Sequence, residues 1–215
     1  MQVNVHQVFF VLSQVIPVTR ILITAFEPYE HWQQNASWLT LCDLTRWYDG
    51  ELELVTRRYP AQLARMAEML CKDLQGDFPL AIHLGQTPEA TAIELETVGV
   101  NRRENGGKII NDGPDGYRTS LPLQSCVDYL CEAGIPCKVS SSSRTNLCNA
   151  AFYLSQHYSR IFGMRTQSVF VHLPLAPGQA AQEAEPPASM STPMTSAAVA
   201  MIMQSLVGND HRLTA

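Results

Sequence analysis

Three short apolar runs constrain this chain more than any other feature. Arg20-Ile21-Leu22-Ile23-Thr24-Ala25-Phe26, Pro79-Leu80-Ala81-Ile82-His83-Leu84 and Ser168-Val169-Phe170-Val171-His172-Leu173-Pro174 each have the length of a strand. A continuous apolar strand is expected in a parallel sheet that helices cover on both faces. The chain between these runs carries helical signals. Asn35-Ala36-Ser37-Trp38 opens a pattern through Leu39, Leu41 and Leu44, with Asn35 as its N-cap. Residues 60–74 place Leu63, Met66, Met69 and Leu70 on one helical face. Leu121 to Ala133 reads as a helix that Gly134 ends, and Cys148 begins another that runs to about residue 159. Ala197 to Val207 forms an apolar closing helix. Leu52 to Thr56 alternates as a strand, Ile93 to Val100 alternates more loosely, and residues 134–139 read as a further strand. Residues 102–118, rich in Gly, Asn and Asp, read as a loop. Residues 174–193, with many Pro, Ala, Ser and Gln, read as a mobile surface excursion. Strands alternating with helices predict a three-layer α/β/α fold around a mixed, mostly parallel central sheet.

No internal repeat or linker divides the 215 residues, so residues 20–215 are expected to form one α/β domain preceded by an N-terminal extension, residues 1–19. Within that extension Val8-Phe9-Phe10-Val11-Leu12 is apolar, but no Lys or Arg precedes it and no clean cleavage site follows. It is also far shorter than the roughly 20 residues that span a bilayer. A net charge of −5 with no basic block argues against nucleic acid as a partner. The six cysteines, at 42, 71, 126, 131, 137 and 148, form no CxxC pair, so neither a zinc site nor a thioredoxin motif is indicated. A chain this long and apolar does not need disulfides, and the expected setting is the reducing cytoplasm.

The chemistry is expected where strands end. In open α/β sheets, sites lie beyond the carboxyl ends of the strands. Phe26, Gln86, Cys148 and His172 all lie at or just past such ends. Cys148 also starts a helix, whose positive end favours the thiolate. Cys148 as nucleophile with His172 as its base is therefore the reading of the residues themselves. The alternative is a small buried cysteine beside a hydrogen-bonded core histidine. Glu96 alone reads as an ordinary strand charge, Gln86 as a turn cap, and the nearby aromatics as core.

Several motifs, in order along the chain, resemble the pyroglutamyl peptidase I family, also called pyrrolidone-carboxylate peptidases. Ala25-Phe26-Glu27-Pro28-Tyr29-Glu30-His31 and Asn35-Ala36-Ser37-Trp38 resemble the family's Gly-Phe-Glu/Asp-Pro-Phe-Gly-Gly and Asn-Pro-Ser-Trp. Gly85-Gln86-Thr87-Pro88-Glu89-Ala90 and Glu96-Thr97-Val98-Gly99-Val100-Asn101 resemble Gly-Gln-Ala-Gly-Gly-Arg and Glu-Arg-Val-Ala-Ile-Asn. Residues 113–122 resemble Gly-Pro-x-x-Tyr-x-Thr-x-Leu-Pro. Thr145-Asn146-Leu147-Cys148-Asn149 resembles Thr-Phe-Val-Cys-Asn, and Val171-His172-Leu173-Pro174 resembles Ile-His-Ile-Pro. The resemblance runs from about residue 20 to the C-terminus.

The resemblance implies a cytoplasmic cysteine peptidase that removes N-terminal pyroglutamate from blocked peptides. It implies Cys148 as nucleophile, His172 as acid/base and Glu96 as the residue that orients the imidazole. It also implies Gln86 as a hydrogen-bonding partner of the pyrrolidone ring, and Phe26, Tyr29 and Leu147 as the walls of its pocket, with Asn146 adding a polar group. No metal or organic cofactor is implied, no membrane partner is expected, and a homotetramer is the family's common assembly. The departures fall around the pocket. Glu30-His31 replaces Gly-Gly, Pro88-Glu89-Ala90 replaces Gly-Gly-Arg, and Arg144 and Asn146 stand where the family has Gly and an aromatic. They leave room for hydrolysis of another blocked or lactam-like amide, or for an inactive binding paralogue.

Overall fold

The computed structural model describes residues 19–76, 78–141 and 147–213. The N-terminal extension, apart from Val18's successor Thr19, and the stretch containing Arg144 and Asn146 lie outside the described residues. The first apolar run is strand β1, Arg20–Phe26, and helix α1, Ala36–Trp47, follows it. Asn35 caps α1 as expected, its Oδ1 accepting from the Ser37 N–H at 3.0 Å. Then come β2 (Glu53–Tyr59), α2 (Leu63–Leu74) and β3 (Leu80–Gln86). The expected strand 52–56 continues three residues further because β1 supplies a ladder out to Phe26↔Tyr59.

Beyond β3 the structure departs more from the periodicity. The loosely alternating 93–100 is two strands, β4 (Ile93–Glu96) and β5 (Val98–Val100), in different sheets. The expected loop 102–118 ends in β6, Gly116–Arg118, which pairs antiparallel with β5. Helix α3 (Leu123–Glu132), β7 (Cys137–Ser140), α4 (Leu147–Ile161) and β8 (Gln167–Leu173) follow. The supposed surface excursion after β8 holds the one-turn helix α5, Pro177–Ala180, and a parallel bridge between Leu175 and Ser189. Leu175, Ala176, Ala180 and Met190 are buried there. Polar composition concealed an apolar anchor at each end, and the segment docks rather than loops freely. Helix α6, Thr192–Leu213, closes the chain and is longer than the apolar stretch alone suggests.

The six-stranded sheet has the order β2-β1-β3-β8-β4-β7. All neighbours are parallel except β4 and β8, so the sheet is mixed and mostly parallel. Period-two alternation divides its side chains between two layers. Ile21, Ile23, Leu80, Ile82, Ile93, Leu95, Val169 and Val171 join the core that α1, α3 and α6 cover. Leu22, Phe26, Ala81 and Phe170 join the opposite core, under α2 and α4. The same alternation sends Glu94, Glu96 and His172 to the α2/α4 side. Polar groups on the buried face of a central sheet cost free energy unless they are paired, and their pairing makes the site.

Candidate active site

Cys148 is the second residue of α4, where backbone N–H groups have no partner within the helix. Helix and sheet approach closely at this point. A Cβ on Gly85 of β3 would stand 2.8 Å from the Cys148 sulfur and 2.7 Å from the Phe170 ring, so no side chain larger than hydrogen fits there. The next residue, Asn149, ties the helix start to β5. Its Oδ1 accepts from the Val100 N–H at 2.8 Å, and its Nδ2 donates to the carbonyls of Val100, at 2.9 Å, and Arg102. Gly99 permits this approach, since a Cβ on it would lie 2.8 Å from the Tyr153 nitrogen of α4.

His172 stands beside Gly85 in the β3–β8 register. Its Nδ1 lies 3.1 Å from Glu96 Oε1, and the two side chains are 3% and 5% exposed. A carboxylate only accepts, so Nδ1 carries the hydrogen. The lone pair of the neutral ring is therefore on Nε2, which is buried and has no hydrogen-bond partner among the described residues. Glu96, Cys148 and His172 line one small cavity with Val98, Asn149, Phe152 and Phe170. The Phe170 ring packs 4.7 Å from the imidazole and closes one side.

A second buried acid stands next to this pair. Glu94 is the direct cross-strand partner of His172, and its Oε1 lies 3.1 Å from the Lys138 ammonium. One ligating atom from each of Glu94, Glu96 and His172 falls within a 4.8 Å cluster. The Lys138 cation and the Nδ1–H of His172 already face these carboxylates, so the cluster is built as an ion pair beside an acid/base pair. The other thiols differ from Cys148 in setting. Burial pushes Cys137 up to about 12 and raises Cys126 and Cys42 as well, which keeps these three protonated.

Of the expected pocket residues, Phe26, Tyr29 and Gln86 gather at the same sheet edge, and Asn146 lies outside the described residues. Phe26 ends β1 with its ring 6.4 Å from Phe170. Gln86 ends β3, buried, with its Oε1 accepting from the Ala36 N–H at 2.9 Å. Tyr29 is half-buried beside it. Burial, followed by the charge of Cys148, pushes the Tyr29 hydroxyl up to about 12, and the Gln86 amide partly offsets this. The hydroxyl is therefore a neutral donor. Leu147 lines a neighbouring groove with Leu63, Ile109 and Ala150. Glu30, which replaces a family glycine, has φ 54. The chain takes a left-handed turn here without the glycine that favours it.

Sequence reasoning missed Gln179 and gave no role to Asn149. Gln179 is buried on α5, and its Nε2 donates to Gln86 Oε1 at 2.9 Å and to the Gln34 carbonyl at 3.1 Å. No periodic signal reveals a residue whose partners lie 93 and 145 positions away. The two acids were legible in principle: Glu94 and Glu96 alternate with Ile93 and Leu95, which places both on one face.

A thiol at a helix start, a buried imidazole and a carboxylate at one sheet edge define a candidate hydrolytic centre on a three-layer α/β/α fold. The family model described as Pyroglutamyl peptidase matches residues 19–208. The chain belongs to the pyroglutamyl peptidase family and is a peptidase. The pyrrolidone-carboxylate peptidase of Vibrio parahaemolyticus is 34% identical over 205 residues, covering 89% of this chain and 93% of that one. The Pyrococcus furiosus enzyme of the same name is 33% identical over 172 residues, covering 74% and 83%. Among solved structures, pyrrolidone carboxyl peptidase from Thermococcus litoralis superposes with a TM-score of 0.84 at 25% identity, covering 90% of this chain and 96% of its own. That from Fervidobacterium islandicum gives 0.82 at 28% identity, covering 88% and 99%. Family and relatives indicate pyroglutamyl peptidase activity. Among the described residues, no helix is long and apolar enough to cross a membrane.

Proposed function

We propose that this chain hydrolyses the amide bond after an N-terminal pyroglutamyl residue through a thioester on Cys148. The observation that carries the reading is the buried His172–Glu96 contact at 3.1 Å, with His172 and Cys148 lining one cavity. His172 takes the thiol proton at Nε2, and Glu96 holds the tautomer and stabilises the imidazolium. The thiolate adds to the acyl carbon, and the oxyanion meets backbone N–H groups at the start of α4. His172 then returns the proton to the leaving amine, and water, activated by the same nitrogen, cleaves the thioester. Phe26, Tyr29 and Leu147 wall the ring pocket and Gln86 hydrogen-bonds the ring; Asn146, which the resemblance assigns to the same pocket, lies outside the described residues. A thiol nucleophile works only while reduced, so the reading carries the cytoplasmic setting with it. A homotetramer acting on blocked peptides, with neither nucleic acid nor membrane as partner, completes it.

A second reading, hydrolysis of another blocked or lactam-like amide by the same chemistry, draws on Tyr29. Its hydroxyl adds a donor where the family pattern has Phe.

The test uses a fluorogenic pyroglutamyl amide, with iodoacetamide labelling in parallel. Wild-type protein should turn the amide over, and Cys148→Ala should lower the rate by about 10⁴-fold or more. Persistent turnover in Cys148→Ala would remove Cys148 as nucleophile. No wild-type turnover, together with a Cys148 inert to iodoacetamide near neutral pH, would remove the peptidase reading.

A further inference from the structure

The pocket's least conspicuous contact decides what it can recognise. An amide side chain can be turned over without changing its shape, so its orientation must be read from its partners. Here backbone groups settle it. The Ala36 N–H only donates, so the Gln86 atom 2.9 Å from it is the oxygen. The Gln34 carbonyl only accepts, so the Gln179 atom 3.1 Å from it is the nitrogen. The Ala176 N–H confirms the other end, donating to Gln179 Oε1 at 3.1 Å. With both amides oriented, Gln179 Nε2 donates to Gln86 Oε1 at 2.9 Å. Both acceptor sites of that oxygen are then filled.

What remains of Gln86 is its NH₂ group. It is buried, with the Tyr29 hydroxyl as its neighbour and, among the described residues, no acceptor within hydrogen-bond distance. It belongs to the residue after Gly85, whose missing Cβ lies against the Cys148 sulfur, and to the amide that neighbours Tyr29. A buried donor with no partner costs free energy until a ligand supplies an acceptor.

We propose that Gln179 is a positioning residue that sets the polarity of recognition: by filling the second acceptor site of Gln86 it leaves Gln86 a donor only, so the pocket takes the carbonyl oxygen of a lactam and not its N–H. This rests on the pyroglutamyl reading and deepens it. A five-membered ring without the carbonyl, as in a prolyl amide, offers Gln86 nothing. Gln179 also donates to the loop before α1 through Gln34, so one side chain joins that loop, the β3 end and α5.

Gln179→Glu and Gln179→Met separate this role from plain packing. An ionised glutamate repels Gln86 Oε1 and favours the turned-over amide, which presents an acceptor to the substrate. Methionine removes the donor without repulsion. With pyroglutamyl 7-amido-4-methylcoumarin at pH 8, Gln179→Glu should raise KM about tenfold or more and Gln179→Met about threefold, with kcat within about threefold of wild type in both. Equal losses in the two variants, or an unchanged KM in folded Gln179→Glu, overturn the proposal. Should Gln179→Glu fail to fold, an unchanged KM in Gln179→Met overturns it alone. Protection of Cys148 from iodoacetamide by 2-pyrrolidone reads the same contact without turnover. If wild type does not hydrolyse the coumarin amide, the pyroglutamyl peptidase reading falls. A protection constant about tenfold weaker in Gln179→Glu still supports the donor role. Unchanged protection, or none in wild type, ends it.

Discussion

His172 and Glu96 belong to adjacent strands of one sheet, whereas Gln86, Tyr29 and Gln179 meet between a strand end and two loops. The first pair is held by register: the β4–β8 ladder sets Glu94 opposite His172 and Glu96 one step along, on the same buried face. The second group is held by individual hydrogen bonds to backbone atoms of Gln34, Ala36 and Ala176. A ladder repeats its constraint at every residue, so a single substitution leaves the pair in place. A loop contact is one bond deep. Among the described residues, the departures from the family pattern fall on the loop side, at Glu30, His31, Pro88, Glu89 and Ala90, while Arg144 and Asn146 lie outside them. That is where sequence can drift without disturbing the acid/base pair.

The sharpest way to break this comparison is Glu96→Gln. An amide nitrogen facing Nδ1 would favour the wrong imidazole tautomer. The expected loss is about a hundredfold or more in kcat, with little change in KM. The Gln179 variants should show the reverse split. If Glu96→Gln moved KM and spared kcat, the assignment of the two regions would be wrong.

His83 tests the sheet side through stability. It is fully buried on β3, with Nδ1 2.8 Å from the Thr24 hydroxyl, and burial pushes it down from 6.5 to about 3. The folded protein holds it neutral, while the unfolded chain takes up a proton below about pH 6.5. Its contribution is complete above pH 6.5 and is lost as the pH falls toward 3, by up to about 1.4 kcal/mol per pH unit. His83→Gln should flatten the acid arm of the unfolding midpoint measured against pH. An unaltered slope would show that other groups set acid stability.

Glu30→Gly should have the smallest effect, on the loop side. Relieving a left-handed glutamate favours the variant by about 1–2 kcal/mol, and the extra freedom of an unfolded glycine opposes it by about 0.5–1 kcal/mol. A net gain of about 0.5–1 kcal/mol in urea unfolding is expected. A loss would mean that the Glu30 side chain makes a contact worth more than its strain.

Much of this protein was legible before any coordinates. Continuous apolar runs specify buried strands, and their alternation with helical periods specifies layers, because both signals are local and repeat every 2 or 3.6 residues. The same local rules placed Asn35 at a helix start and Cys148 at the positive end of another. They failed where partners were distant. Thr97 divides one alternating run between two sheets, a choice made by β7 and β8 on one side and β6 on the other. Polar composition made residues 174–193 look mobile, although Leu175 and Met190 anchor them.

The sequence by itself thus determined the layers, the strand ends and the three residue types that could do acyl chemistry. Tertiary structure alone decided which acid meets His172, that Glu94 takes Lys138 instead, and that Gln86 is turned to donate. These are outcomes of register and of backbone groups brought together from 50 to 145 residues apart. Hydrogen bonds are directional and short-ranged, so residue identity names the candidates and the fold selects the pairs.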